Sequence, residues 1–343
     1  MSTVTIFYLL SGFIDFFGSS VSSNSCVTQR AVNPSTGSYF CLDCSFSSMR
    51  ISGSGSVFYF STTSSVKLLV ELSSFLNCSS TDHGGAIFFN CINGGFVSHK
   101  VCAGLCYTNN PSNIARGQLF FSTVNTTMIN GVFMNSVVKC SESVRNLQWY
   151  SIALFEGNIR FKNTNSSQNS VEHVGMFGSN YAVSLQSEFN TFEHIYSPSG
   201  AHLANLADIQ EFIVEASNFI NNTNESGIRG IIDAFSNGRI FLQRCVFARN
   251  LGLLFCSTNK YSLTAKNCYI FHQNAVLEIN ATLVGCVFRD DIDRYHFMYH
   301  STKHCQTDLL IPILAPRVSC FIEPQNIKKY IITMFSESLI VQF

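Results

Sequence analysis

Asp290, Asp291 and Asp293 form the tightest acidic group in the chain, with Arg289, Arg294 and His296 around them. Such groups carry polysaccharide chemistry. Glycoside hydrolysis needs two acids on one face, one protonated and one ionised, and a lyase needs acidic calcium ligands beside an Arg or Lys base. Position counts against both, because the group stands where a recurring sequence pattern fades, which suits a polar end cap. The combination of Arg-x-Lys with Gly-His-Gly that would complete a polygalacturonase-like site is absent. No catalytic residue is assigned; an enzyme would have to use Asp290, Asp291 and Asp293.

Asp233 interrupts the apolar block Gly230-Ile-Ile-Asp-Ala-Phe235 and reads as a satisfied residue close to a turn. Asp82 and His83 belong to Thr81-Asp-His-Gly-Gly85, which has no nucleophile nearby and reads as a turn. Cys41-x-x-Cys44 and the Cys102 to Cys106 spacing lack the second pair or histidines that zinc requires, so neither metal nor other cofactor is expected. Cys245, Cys268 and Cys286 each precede an aromatic or apolar segment, the setting of a small interior filler. Cys305 and Cys320 lie beyond the recurring pattern and are expected to cross-link a terminal cap. Sequons at Asn77, Asn125, Asn165, Asn221, Asn224 and Asn280 can carry glycans only in a secretory lumen. With 32 Phe against one Trp, Trp149, the aromatics point to core stacking and not to a sugar-binding face, and Tyr295 and Tyr299 are read as packing.

The elements that position these groups follow from composition. Lys plus Arg equals 21, as does Asp plus Glu, so no net field gathers phosphate backbones and a nucleic-acid partner is excluded. Only 12% of residues are charged and 46% are apolar, which rules out a disordered tail. Apolar spacing of helical period is scarce. The run Val4 to Ile14 has the length of a signal-peptide core or of a hydrophobic cap, and no stretch is long and apolar enough for a transmembrane span.

Two short elements alternate. One has a small or Gly lead-in and an apolar block: Gly55-Ser-Val-Phe-Tyr-Phe60, Gly84-Gly-Ala-Ile-Phe-Phe89, Gly117-Gln-Leu-Phe-Phe121, Ser151-Ile-Ala-Leu-Phe155, Gly230 to Phe235 and Gly252-Leu-Leu-Phe255. The other is Phe followed by Asn: Phe75-Leu-Asn77, Phe133-Met-Asn135, Phe161-Lys-Asn163, Phe219-Ile-Asn-Asn222, Phe247-Ala-Arg-Asn250 and Phe271-His-Gln-Asn274. A period of about 24 to 29 residues marks a stacked array. Three short strands and three turns per period, with no helix between, describe a right-handed parallel β-helix. Phe should stack on Phe, and Asn should form a ladder at one corner.

Gly84-Gly-Ala-Ile87 and the Phe-x-x-Asn copies at 219, 247 and 271 resemble the two motifs of the polymorphic outer-membrane-protein repeat. The Ser/Asn-rich and aromatic-rich filler is similar to the pectate-lyase-like right-handed β-helix proteins of protists such as trichomonads. The resemblance covers roughly residues 40 to 290. It implies extracellular or cell-surface display with an adhesive or structural role toward host-cell, matrix or glycan surfaces, and carries no catalytic residue across.

The expectation is therefore an all-β solenoid of about nine to ten coils over residues 40–290. An apolar cap or signal-like segment precedes it at 1–39, and an irregular cap follows at 291–343. The functional expectation is a non-catalytic surface or secreted protein; the alternative is a polysaccharide lyase or glycoside hydrolase on the same scaffold.

Overall fold

The computed structural model describes residues 13–18, 24–26, 31–32, 36–109, 116–124, 127–140, 150–172, 174–198, 201–205, 211–234, 239–257, 263–271, 278–279, 281–291, 293–297 and 317–320. They form a right-handed parallel β-helix. Three parallel sheets, here A, B and C, contain eleven, ten and eleven strands, where nine to ten coils were expected. The chain visits A, C and B in turn: Val66–Glu71 is in A, Ser74–Leu76 in C and Ile87–Cys91 in B, before Gly95–His99 returns to A. Every strand pair is parallel except the last in sheet C, where Arg317–Cys320 lies antiparallel to Cys44–Ser47.

The Gly-plus-apolar element is sheet B. Phe58–Thr62, Ile87–Cys91, Phe120–Thr123, Tyr150–Phe155, Ile232–Ala234 and Phe255–Ser257 all belong to it. The glycines enter the turn before the strand: a Cβ on Gly84 would stand 2.1 Å from the Ile87 carbonyl oxygen, and Gly84 has φ +61. No side chain fits there.

The Phe–Asn element divides between two places. Between sheets A and C, and again after sheet C, the backbone makes a one-residue left-handed turn. The first column of these turns is Asp43, Leu72, Lys100, Met134, Asn163, Phe189, Ala216, Arg244 and Asn267. The second is Ser48, Asn77, Leu105, Lys139, Gln168, His194, Asn221 and Arg249. In each coil that has both, the second follows the first by five residues. Because Phe133-Met-Asn135 crosses the first corner and Phe247-Ala-Arg-Asn250 the second, the sequence pattern matched either. Phe75, Phe219 and Phe247 occupy the centre of sheet C, but Phe133 and Phe161 are in sheet A, and Ile270 takes the central place expected of Phe271.

The interior nevertheless stacks. Phe46 lies on Phe75 at 5.3 Å, Phe192 on Phe219 at 5.2 Å and Phe219 on Phe247 at 4.8 Å, with nearly parallel rings. Where sheet C has the small Ser166, Phe161 reaches in from sheet A and stacks on Phe192 at 5.9 Å. Burying a phenylalanine contributes roughly 1.5–3 kcal/mol, so these columns drive assembly of the stack.

Described segments toward both termini lie along the stack. Strand Asn24–Cys26 pairs with Gly37–Leu42, so sheet A begins before residue 40. Residues 13–17 form a short helix whose Phe13 and Phe17 pack on Leu69 and Val97, on the outer flank of sheet A. After the last coil, Tyr295 packs on Ile220, Val246 and Ala248 of sheet C and exchanges two backbone hydrogen bonds with the Asn218 side chain. Among the described residues no helix is long and apolar enough to cross a membrane.

Candidate functional site

Successive strands of sheet B place Tyr59, Phe88 and Phe121 in one outward-facing column. Phe88 stacks on both neighbours at 5.2 Å. The turn that holds Asp82 and His83 folds against this column, and the His83 ring stacks on Phe121 at 5.3 Å. Its Nδ1 accepts the Arg116 amide at 3.0 Å, which requires the neutral ring. Burial lowers the His83 pKa, with Arg116 adding to that and Asp82 opposing it. Asp82 in turn accepts from the Ser54 hydroxyl at 3.0 Å. The Arg116 guanidinium sits over Phe155 at 5.4 Å, and Tyr150 meets the same ring edge-on. Tyr150 lies against Gly178, where a Cβ would come within 2.0 Å of the ring. Phe88, Phe121, Tyr150 and Phe155 are buried, so this aromatic face is packed and offers no open stacking platform.

Farther along the same sheet stands Asp233, 1% exposed. Its Oδ2 accepts from Arg229 at 3.0 Å, but its buried Oδ1 has no hydrogen-bond partner among the described residues. The expected satisfied aspartate is thus only half satisfied. Burial raises its pKa, and Arg229 opposes the rise. Cys256 is its register partner in the next strand, and burial raises that thiol's pKa, reinforced by Asp233.

Asp290, Asp291 and Asp293 are exposed and follow Val287–Arg289, the strand at the far edge of sheet C. Arg294 turns away from them to Glu193 at 3.2 Å. Three other described carboxylates form ion pairs that join neighbouring coils: Glu71 with His99 at 2.7 Å, Glu188 with Lys162 at 3.0 Å, and Glu215 with Arg244. These pairs were not legible before the register was known, since partners are about one coil apart in sequence. Among the described residues no group of three His, Cys, Asp or Glu side chains is placed to hold a metal.

Cys245 and Cys268 are buried and unpaired, and Cys286, also unpaired, is half-buried; all three occupy first-corner positions. Cys78, Cys106 and Cys140 do the same at the second corner. Cys44 and Cys102 are disulfide-bonded. Cys320 lies in the antiparallel strand, whereas Cys305 and Tyr299 fall outside the described residues. Of the sequons, Asn77 and Asn221 are half-exposed at second-corner turns. Asn165 and Asn224 are buried, which leaves no room for a glycan in the folded stack. Asn125 and Asn280 lie outside the described residues. Comparisons with protein-family models, with curated proteins and with solved structures find no match.

Proposed function

We propose that this chain is a non-catalytic surface or secreted β-helix protein with an adhesive or structural role, akin to the protist surface group and the polymorphic outer-membrane-protein repeats that its motifs resemble. The observation that carries the reading is the disposition of the carboxylates. Glu71, Glu188 and Glu215 stitch one coil to the next through ion pairs, and the Asp290 to Asp293 group stands exposed at the end of the stack. Hydrolysis and elimination both require acids converging on one substrate bond. The extracellular or cell-surface setting rests on the sequons, with Asn77 and Asn221 as the accessible candidates, and on the two disulfide-bonded cysteines.

The test uses the full chain. Fluorescently labelled protein is offered to cultured cells, to matrix-coated surfaces and to immobilised glycans, and is separately incubated with pectin and related polysaccharides. Saturable binding with no new unsaturated or reducing ends supports the proposal. Product formation that is lost in the combined Asp290→Asn, Asp291→Asn and Asp293→Asn variant overturns it in favour of an enzyme, and absence of binding to all three surfaces removes the adhesive role.

A further inference from the structure

Sheet C would expose an open edge at Cys44–Ser47, the kind of edge that templates pairing with another chain. Arg317–Cys320 covers it, although the chain left the sheet at the opposite end, after Val287–Arg289. The covering strand pairs Arg317 with Ser47, Val318 with Phe46, Ser319 with Ser45 and Cys320 with Cys44. Cys44 is disulfide-bonded. We propose that its partner is Cys320, so that a covalent staple holds the C-terminal strand over the first edge of the solenoid.

Geometry selects the pair. Directly opposed residues of an antiparallel ladder have Cα atoms about 4.5–5.5 Å apart, within the roughly 4.4–6.8 Å that a disulfide spans. Cys102 is not the partner: it is in register with Ser74, and Ser74 with Ser45, which sets it two strands from Cys44's own level, about 9.6 Å at the usual spacing. Cys26 stands beside Phe40 in sheet A, across a corner from Cys44. Cys41, Cys78, Cys91, Cys106 and Cys140 are not disulfide-bonded. Formation is a two-electron oxidation. The Cys44 and Cys320 thiols lose two protons and two electrons as the S–S bond forms, and a small-molecule or protein disulfide accepts them and leaves as two thiols.

The assignment stands on strand register and is independent of the proposed adhesive role. It is tested on the full-length protein, refolded with oxidised and reduced glutathione, alkylated in denaturant without reduction and digested with trypsin. The expected product is peptide 31–50 linked to peptide 318–328, lost on reduction, with fragment ions placing the link at Cys44 and the alkyl group at Cys41. Cys320→Ser removes that product and leaves Cys44 alkylated after denaturation, a readout that does not depend on substituting the buried Cys44. Recovery of Cys44 linked to any other cysteine, or alkylated in the wild-type chain without reduction, overturns the proposal.

Discussion

The carboxamide of Asn250 closes on the backbone of the preceding coil from both ends. Its Nδ2 donates to the Phe219 carbonyl at 2.8 Å, and its Oδ1 accepts the Asn222 amide at 3.0 Å. Asn222 repeats the arrangement one coil earlier, with the Phe192 carbonyl and the Ile195 amide, both at 3.0 Å. The Asn ladder thus bonds side chain to backbone and not amide to amide. Where Cys replaces Asn at the same corner, the thiol takes over the donor half: Cys106 donates to the Phe75 carbonyl and Cys78 to that of Phe46, both at 3.6 Å.

Asn222→Ala leaves a buried carbonyl and a buried amide without partners, at about 1–3 kcal/mol each. It should destabilise the protein by about 2–4 kcal/mol, and Asn222→Cys by less, because sulfur restores the donor. Urea unfolding with hydrogen exchange at the Ile195 amide would check both. Equal losses in the two variants would refute the equivalence of Asn and Cys.

Burial holds several interior thiols in their protonated form. The pKa values of Cys78 and Cys106 are raised first by desolvation, and that of Cys91 is pushed up to about 12 by the same cause. The thiolate is the reactive species, so iodoacetamide at about pH 8 should leave all three unmodified in the folded protein and label all three in denaturant. Labelling of the native protein would show that these buried sites open.

Asp233 should make stability fall as pH rises. Its folded pKa lies above its unfolded value of 3.8, so its favourable contribution is complete below pH 3.8 and disappears as pH rises through the folded pKa. Asp233→Asn removes the buried charge at the cost of one ionic partner for Arg229. The variant and wild type should melt together near about pH 3.5, with the variant the more stable at about pH 7. A Tm difference independent of pH would show that burial does not govern this group.

Leu105 adopts φ +53 and is partly exposed, so its side chain contributes little packing at a corner where Asn is far better tolerated. Leu105→Asn should stabilise by about 0.5–1 kcal/mol in urea unfolding. A loss of stability would show that the leucine contacts outweigh the backbone strain.

Fold class, sheet B and the rung-filling role of Cys245 and Cys268 were legible in the sequence. Gly lead-ins and apolar blocks recur there with little ambiguity. Register in the Phe–Asn element was not, because the two corners share one local signature. Asn135 belongs to the first corner and Asn250 to the second, yet their flanking residues do not tell them apart. Of the candidate site residues, the exposed position of Asp290, Asp291 and Asp293 followed from their place after the repeats. The orphaned Oδ1 of Asp233 and the contact of His83 with Arg116 did not, since each depends on a partner supplied by folding across turns or coils.

The fixed five-residue step between the paired left-handed corners contrasts with the rest of each coil. From Ser48 to Leu72 the chain takes 24 residues, from Leu105 to Met134 it takes 29, and from Arg249 to Asn267 only 18. Variation in length is therefore shed into the stretch that passes through sheets B and A, while the short sheet C segment acts as an indexing tooth. Foreign peptides inserted between sheets C and B would emerge as a comb along one edge, one tooth per coil and about 4.8 Å apart, with the tooth-setting segment untouched.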